Sequence, residues 1–125
     1  MAVTKQTVLI ADDDADLRNM YSTKFESSGY AVVGACDGDD CLAKMKTAKP
    51  DIVILDLMMP KKDGFMVLEI AKQDKAIKDI PIIVLSALGQ KEDADLARNL
   101  GAAEFYIKPQ TMLNELVAKA EQYLK

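Results

Sequence analysis

The chain has 125 residues, half of them apolar and 29% charged, which is the composition of one globular domain with a core rather than of a disordered chain. Its 16 Lys and Arg against 20 Asp and Glu leave a net charge of −4, so the overall balance gives no footing for a polyanion, and no direct nucleic-acid binding is expected. Histidine is absent, which removes imidazole metal sites, Ser–His and Cys–His nucleophile pairs and histidine acid–base chemistry.

The first seven residues hold no apolar signal core, and no apolar run nears the roughly 18 residues that span a bilayer, so a cytoplasmic location without membrane insertion is expected. An apolar run over residues 8–11 predicts the first strand, and Asp12 and Asp13 follow it directly. Asp14 reads as the N-cap of a helix over 15–28, with Leu17, Met20, Tyr21 and Phe25 at helical spacing and Ser28-Gly29 as its C-cap. Residues 30–36 predict a second strand and 40–48 a second helix. Cys36 and Cys41, with no second pair to complete a thiolate metal site, read as buried thiols. Pro50 precedes a third strand over 52–55, which ends at Asp56. Lys61-Lys62 reads as a solvated loop pair before a helix over 65–72. Pro81 precedes a fourth strand over 82–85, closed by Ser86, and a helix over 92–100 ends at Leu100-Gly101. A fifth strand over 105–107 runs into Lys108, and a helix over 112–124 follows.

Several strand candidates are unbroken Val- and Ile-rich runs, which suits parallel strands covered on both faces. Alternating β and α elements then predict right-handed crossovers and a doubly wound α/β domain. Ligands of such sheets bind beyond the carboxyl ends of the strands. Asp12, Asp13, Asp56, Ser86 and Lys108 all stand directly after a strand, so they are expected to meet at that edge. A carboxylate closing four apolar residues, as Asp56 does, is costly unless it is paired or coordinating. Three converging carboxylates need a cation unless one of them is protonated, and an all-oxygen, small site suits Mg²⁺.

The run Leu9-Ile10-Ala11-Asp12-Asp13-Asp14, the run from Asp51 through Asp56 and Pro60 to Asp63-Gly64, and the pairs Ser86-Ala87 and Lys108-Pro109 resemble the receiver domain of bacterial two-component response regulators. The resemblance covers essentially the whole chain and implies one receiver domain over 1–125, with a five-stranded parallel sheet of order 2-1-3-4-5 and five helices, the flavodoxin-like arrangement. It implies that Asp56 accepts a phosphoryl group from a phosphohistidine on a histidine kinase or phosphotransfer protein, in a domain that assists its own phosphorylation and dephosphorylation and is otherwise no enzyme. By the same matching, Asp13, Asp56 and the backbone carbonyl of Met58 hold Mg²⁺ directly and Asp12 holds it through water. Lys108 neutralises phosphoryl charge, Ser86 binds a phosphoryl oxygen, and Phe105 is the aromatic switch. The implied output surface is the fourth helix, fifth strand and fifth helix, for a downstream target or output domain or a phosphorylation-dependent dimer. Met58 and Leu88 flank the site where the family controls the attacking water, and the Lys108-Pro109 bond is expected to be cis.

Other readings of the same residues are weaker. Asp12 to Asp14 also suit an acidic cap on the first helix. Counted as a calcium loop from Asp12, they have Leu17 at position 6 and Thr23 at position 12, where Gly and Glu are needed. No dinucleotide or P-loop glycine pattern occurs. A phosphatase of the haloacid dehalogenase type would use Asp12 as nucleophile, paired with Asp14, but Asp16 stands where that family has Thr or Val. A receiver-shaped interaction module without phosphorylation would not need the acidic, hydroxyl and lysine positions all to be kept.

Overall fold

Every residue of β3 (Ile52–Leu55) and β4 (Ile82–Ser86) is buried: β3 is an unbroken apolar run and β4 one closed by Ser86, and each has neighbours on both edges and both faces. The computed structural model describes residues 5–87 and 89–124. Among them, β1 (Thr7–Ala11), β2 (Ala31–Ala35) and β5 (Glu104–Ile107) complete a five-stranded parallel sheet of order β2-β1-β3-β4-β5. The helices are α1 (Ala15–Ser27), α2 (Gly38–Thr47), α3 (Gly64–Gln73), α4 (Lys91–Asn99) and α5 (Leu113–Glu121). The expected doubly wound α/β order is therefore present. Among the described residues no helix is long and apolar enough to cross a membrane.

The pleat divides the core in two, since successive strand residues face opposite sides. Leu9, Val53, Leu55, Ile82 and Val84 pack with Cys41 and Met45 of α2 and with Val67, Leu68 and Ala71 of α3. Val8, Ile10, Ile52, Ile54 and Ile83 pack on the other side with Tyr21 and Phe25 of α1 and Leu116 of α5. Burial on both faces explains the missing polar alternation in the central strands. The edge strands β2 and β5 are only half-buried over most of their length.

Element ends follow local capping. Asp14 accepts from the Asp16 and Leu17 amides, Asp37 from Asp40, and Asp63 from Met66, which starts α1, α2 and α3. Gly29 and Gly101, at φ +101° and +111°, follow α1 and α4. The Asp37 cap starts α2 at Gly38, two residues earlier than the sequence pattern suggests. That cap also corrects the expectation for Cys36. β2 ends at Ala35, so Cys36 lies in the loop, exposed, with its thiol 3.8 Å from carboxylate oxygens of Asp37 and Asp40, while Cys41 is buried inside α2. Lys61-Lys62 is likewise not simply solvated: Lys61 lies 3.6 Å from Asp37 and Lys62 pairs with Asp39, tying the loop after β3 to the start of α2.

Gly64 makes the closest approach that matters to the site. Its amide donates to the Leu57 carbonyl at 2.9 Å, and a Cβ there would lie 2.6 Å from the Asp56 carbonyl oxygen and 2.7 Å from Leu57 Cα. The start of α3 thus presses directly on the backbone that carries Asp56. Gly64→Ala is expected to destabilise the fold by about 1–3 kcal/mol through overpacking. Urea unfolding checks this, and an unchanged midpoint would show that the backbone yields without cost.

Candidate functional site

The register of the sheet brings the sequence-predicted residues together. Ala11 pairs with Leu55, so the residues after β1 and β3 leave the sheet side by side. Asp56 continues the ladder by donating its amide to the Ala11 carbonyl at 2.9 Å, and Asp12 donates to Ala35 at 3.0 Å. Carboxylate oxygens of Asp12, Asp13 and Asp56 lie within 4.8 Å of one another. Asp12 and Asp56 are only 2% and 6% exposed, whereas Asp13 faces solvent. An open pocket of ≈ 500 Å³ adjoins them between Asp13, Met58, Asp63 and Phe65.

Lys108 enters from the far side of the chain. Its ammonium lies 2.8 Å from Asp12 Oδ2 and 3.3 Å from Asp56 Oδ2. The other oxygens are held by backbone amides: Asp14 N–H donates to Asp12 Oδ1 at 3.0 Å and Met58 N–H to Asp56 Oδ1 at 3.2 Å. Burial raises the Asp56 pKa above the ordinary carboxylate value, and the positive Lys108 and the Met58 amide offset that only in part. Burial also works against the Lys108 ammonium, but its hydrogen bond to Asp12 and the charges of Asp56 and Asp12 outweigh this and hold its pKa above normal. One ammonium against three carboxylates leaves an electron-rich, all-oxygen cluster, and that donor set fits a small hard dication such as Mg²⁺.

Ser86, fully buried, ends β4 and pairs in register with Ile107, one residue before Lys108. Phe105 pairs with Val84 and packs, half-buried, against the core on the α2–α3 side. Met58 is 55% exposed at the pocket mouth, and Leu88 lies outside the described residues. The expectation of a cis Lys108-Pro109 bond is corrected: no peptide bond among the described residues is cis. Instead Lys108–Gln110 form a 3₁₀ turn in which Thr111 N–H reaches the Lys108 carbonyl at 3.3 Å and its hydroxyl donates to Ile107 at 2.9 Å.

Sequence reasoning missed Arg18, whose Nη1 donates to the Asp12 carbonyl at 2.7 Å, and the role of Gly64 beneath Asp56. Arg18 lies on a helix of weak amphipathic pattern, so only its position six residues after Asp12 could have signalled a contact. Gly64 was visible within a motif but not as a close-packing position.

Comparison with known proteins gives a consistent result. The family described as "Response regulator receiver domain" matches residues 8–121. The chain is 43% identical over 106 residues to "Probable transcriptional regulator ycf27" of Guillardia theta, covering 85% of this chain and 41% of that protein. It is 36% identical over 118 residues to the "DNA-binding dual master transcriptional regulator RpaA" of Synechocystis, covering 94% and 48%. The chain thus spans less than half the length of these curated relatives. Among solved structures, the CheX-CheY-BeF3-Mg+2 complex from Borrelia burgdorferi matches with a TM-score of 0.86 at 29% identity, over 96% of this chain and 90% of that one.

The raised Asp56 pKa has a stability consequence whose sign is fixed. The folded protein binds a proton where the unfolded chain has already released it, so in the window between the ordinary and the raised value this term loses stability as pH rises. Without metal, Asp56→Asn is expected to unfold at a higher temperature than the unsubstituted chain at pH 7. The difference should shrink as pH falls below the ordinary carboxylate range. Thermal unfolding over a pH series in chelator checks this, and a less stable Asp56→Asn at pH 7 would show that the lost Lys108 contact outweighs burial.

Proposed function

This chain belongs to the response regulator receiver domain family, the signalling switch of two-component systems, and we propose that Asp56 is its phosphoacceptor. The observation that carries the reading is a buried carboxylate, raised in pKa by that burial, inside an acidic cluster and 3.3 Å from the Lys108 ammonium. In the transfer, an Asp56 carboxylate oxygen forms a bond to phosphorus as the phosphorus–nitrogen bond of a partner's phosphohistidine breaks, and the electron pair leaves on the imidazole nitrogen. With no histidine of its own, the chain takes the group from a histidine kinase or phosphotransfer protein.

Asp13, Asp56 and the Met58 carbonyl would hold Mg²⁺, with Asp12 holding it through water, and receiver domains typically use this ion. When bound, it supplies positive charge beside the transferring phosphoryl oxygens. Lys108 exchanges its contact with the Asp56 carboxylate for a phosphoryl oxygen, and Ser86 donates its hydroxyl to another. Positioning and electrostatics therefore do the work. The register Ser86↔Ile107 and Val84↔Phe105 supports a relay from Ser86 to Phe105 and so to the surface of α4, β5 and α5. That surface would bind a downstream target, an output domain or a second copy of the chain with different affinity in the two states, which is what transmits a signal. The phosphatase reading through Asp12 is not favoured, because the family match accounts for the same carboxylates.

Acetyl phosphate with Mg²⁺, followed by borohydride trapping and peptide mass spectrometry, is expected to label Asp56 and to give no label in Asp56→Asn. Label at Asp12 would return the phosphatase reading. Mg²⁺ at 100 times its dissociation constant is expected to add roughly 2.7 kcal/mol to the unfolding free energy if only the folded state binds it. Urea unfolding with and without the ion measures this, and no gain would remove the metal from the site.

A further inference from the structure

We propose that Arg18 is a positioning residue for metal binding: its guanidinium fixes the Asp12–Asp13 peptide and thereby the direction in which the Asp13 carboxylate enters the pocket. The inference rests on the Mg²⁺ reading above and names a residue outside the acidic cluster.

The three carboxylates are not held alike. Asp12 is bound through both oxygens, by Asp14 N–H and Lys108, and Asp56 through both, by Met58 N–H and Lys108. Asp13 is exposed, and its carboxylate has no hydrogen bond or ion pair with any described residue. Its direction therefore depends on the backbone that carries it, because the rotamers open to a side chain depend on φ and ψ.

That backbone is pinned from two sides. The Asp12 amide donates to Ala35 of β2 at 3.0 Å, and the Asp12 carbonyl accepts from Arg18 Nη1 at 2.7 Å, short for a nitrogen donor and charge-assisted. The carbonyl belongs to the planar peptide that joins Asp12 to Asp13, so holding it sets the rotation of the whole unit. Arg18 can reach it because helical side chains lean toward the N-terminus of their helix, and α1 begins three residues earlier at Ala15.

The route of the side chain is also built in. Arg18 crosses β2 at Gly34, where an added Cβ would lie 3.2 Å from Arg18 Cδ and 3.4 Å from Nε. Glycine inside a strand lowers its stability and marks a place where another group comes close to the backbone. Here that group is the arm of Arg18.

Charge alone predicts the opposite role. A fixed cation beside a cation site disfavours metal, so removing it should tighten Mg²⁺ binding, whereas losing a positioning contact should weaken it. The two accounts differ in sign.

Mg²⁺ titration by calorimetry on the full chain at low ionic strength, at a temperature where every variant is folded, separates them. Arg18→Met is expected to weaken Mg²⁺ binding about tenfold, the lower end of what loss of an outer-shell partner costs a metal site. Arg18→Lys is expected to recover part of the loss. Gly34→Ala, which changes no charge but crowds the Arg18 arm, is expected to weaken binding in the same direction and serves if Arg18→Met fails to fold. A merely structural Arg18 would lower the unfolding midpoint and leave the dissociation constant of the folded protein unchanged. That result, or tighter binding by Arg18→Met, overturns the proposal while leaving the metal reading intact. Absence of Mg²⁺ binding by the unsubstituted chain overturns both.

Discussion

The fold is organised around an electrostatic conflict: three carboxylates are forced to one edge of a buried sheet and, among the described residues, only one ammonium, that of Lys108, lies against them. Two like charges roughly 4 Å apart repel by about 4 kcal/mol at an effective dielectric of about 20, so the arrangement is a liability that some other part of the fold must impose. Parallel pairing imposes it. Because β1 and β3 are neighbours in register, the residues following Ala11 and Leu55 have nowhere else to emerge. The stability that offsets this comes from the two apolar layers beneath, one against α2, α3 and α4 and one against α1 and α5.

Aspartate is used in two distinct ways within this edge. Asp14, Asp37 and Asp63 cap helices, each accepting from amides of a first turn, and they are satisfied by local geometry alone. Asp12 and Asp56 accept amides two residues on as well, but keep one oxygen each for Lys108, a residue far away in sequence. A cap is complete within its own helix, whereas the pocket is complete only when the first, third and fifth strands are in place. Loop geometry then refines the pocket: Gly64 presses α3 onto the Asp56 backbone, and the pairs Lys61 with Asp37 and Lys62 with Asp39 join the loop after β3 to α2.

What could be read from the sequence divides along the same line. The central strands were legible because burial on both faces leaves an unbroken apolar run; Asp56 stood out as a carboxylate where burial is costly, whereas Asp12 and Ser86 were marked only by their place directly after a strand. Boundaries set by a cap were legible only where the cap was recognised, as at Asp14. At Asp37 it was not, and the same oversight placed Cys36 inside a strand rather than in the loop beyond Ala35. Contacts that cross between loops left no periodic signal at all. Lys61 and Lys62 look like any solvated pair until the start of α2 is brought against them, and no local pattern announces the 3₁₀ turn over Lys108–Gln110.

The position of Lys108 explains how a local charge could matter at a distance on the proposed mechanism. The ammonium bridges Asp12 and Asp56 at the end of β5, a half-buried edge strand, while the carboxylates it bridges follow the more deeply buried β1 and β3. A phosphoryl group on Asp56 would give both this lysine and the buried Ser86 hydroxyl a new partner, at the end of the β4–β5 pair. Phe105 lies in that same pair, opposite Val84 and three residues before Lys108, with its ring against the core rather than inside it. Central strands packed on both faces resist displacement, because a close-packed interior has no slack. On the proposed mechanism, the strain of a new charge at Asp56 would be relieved along β5, the half-buried edge strand that carries Lys108 at its end, rather than in the central strands.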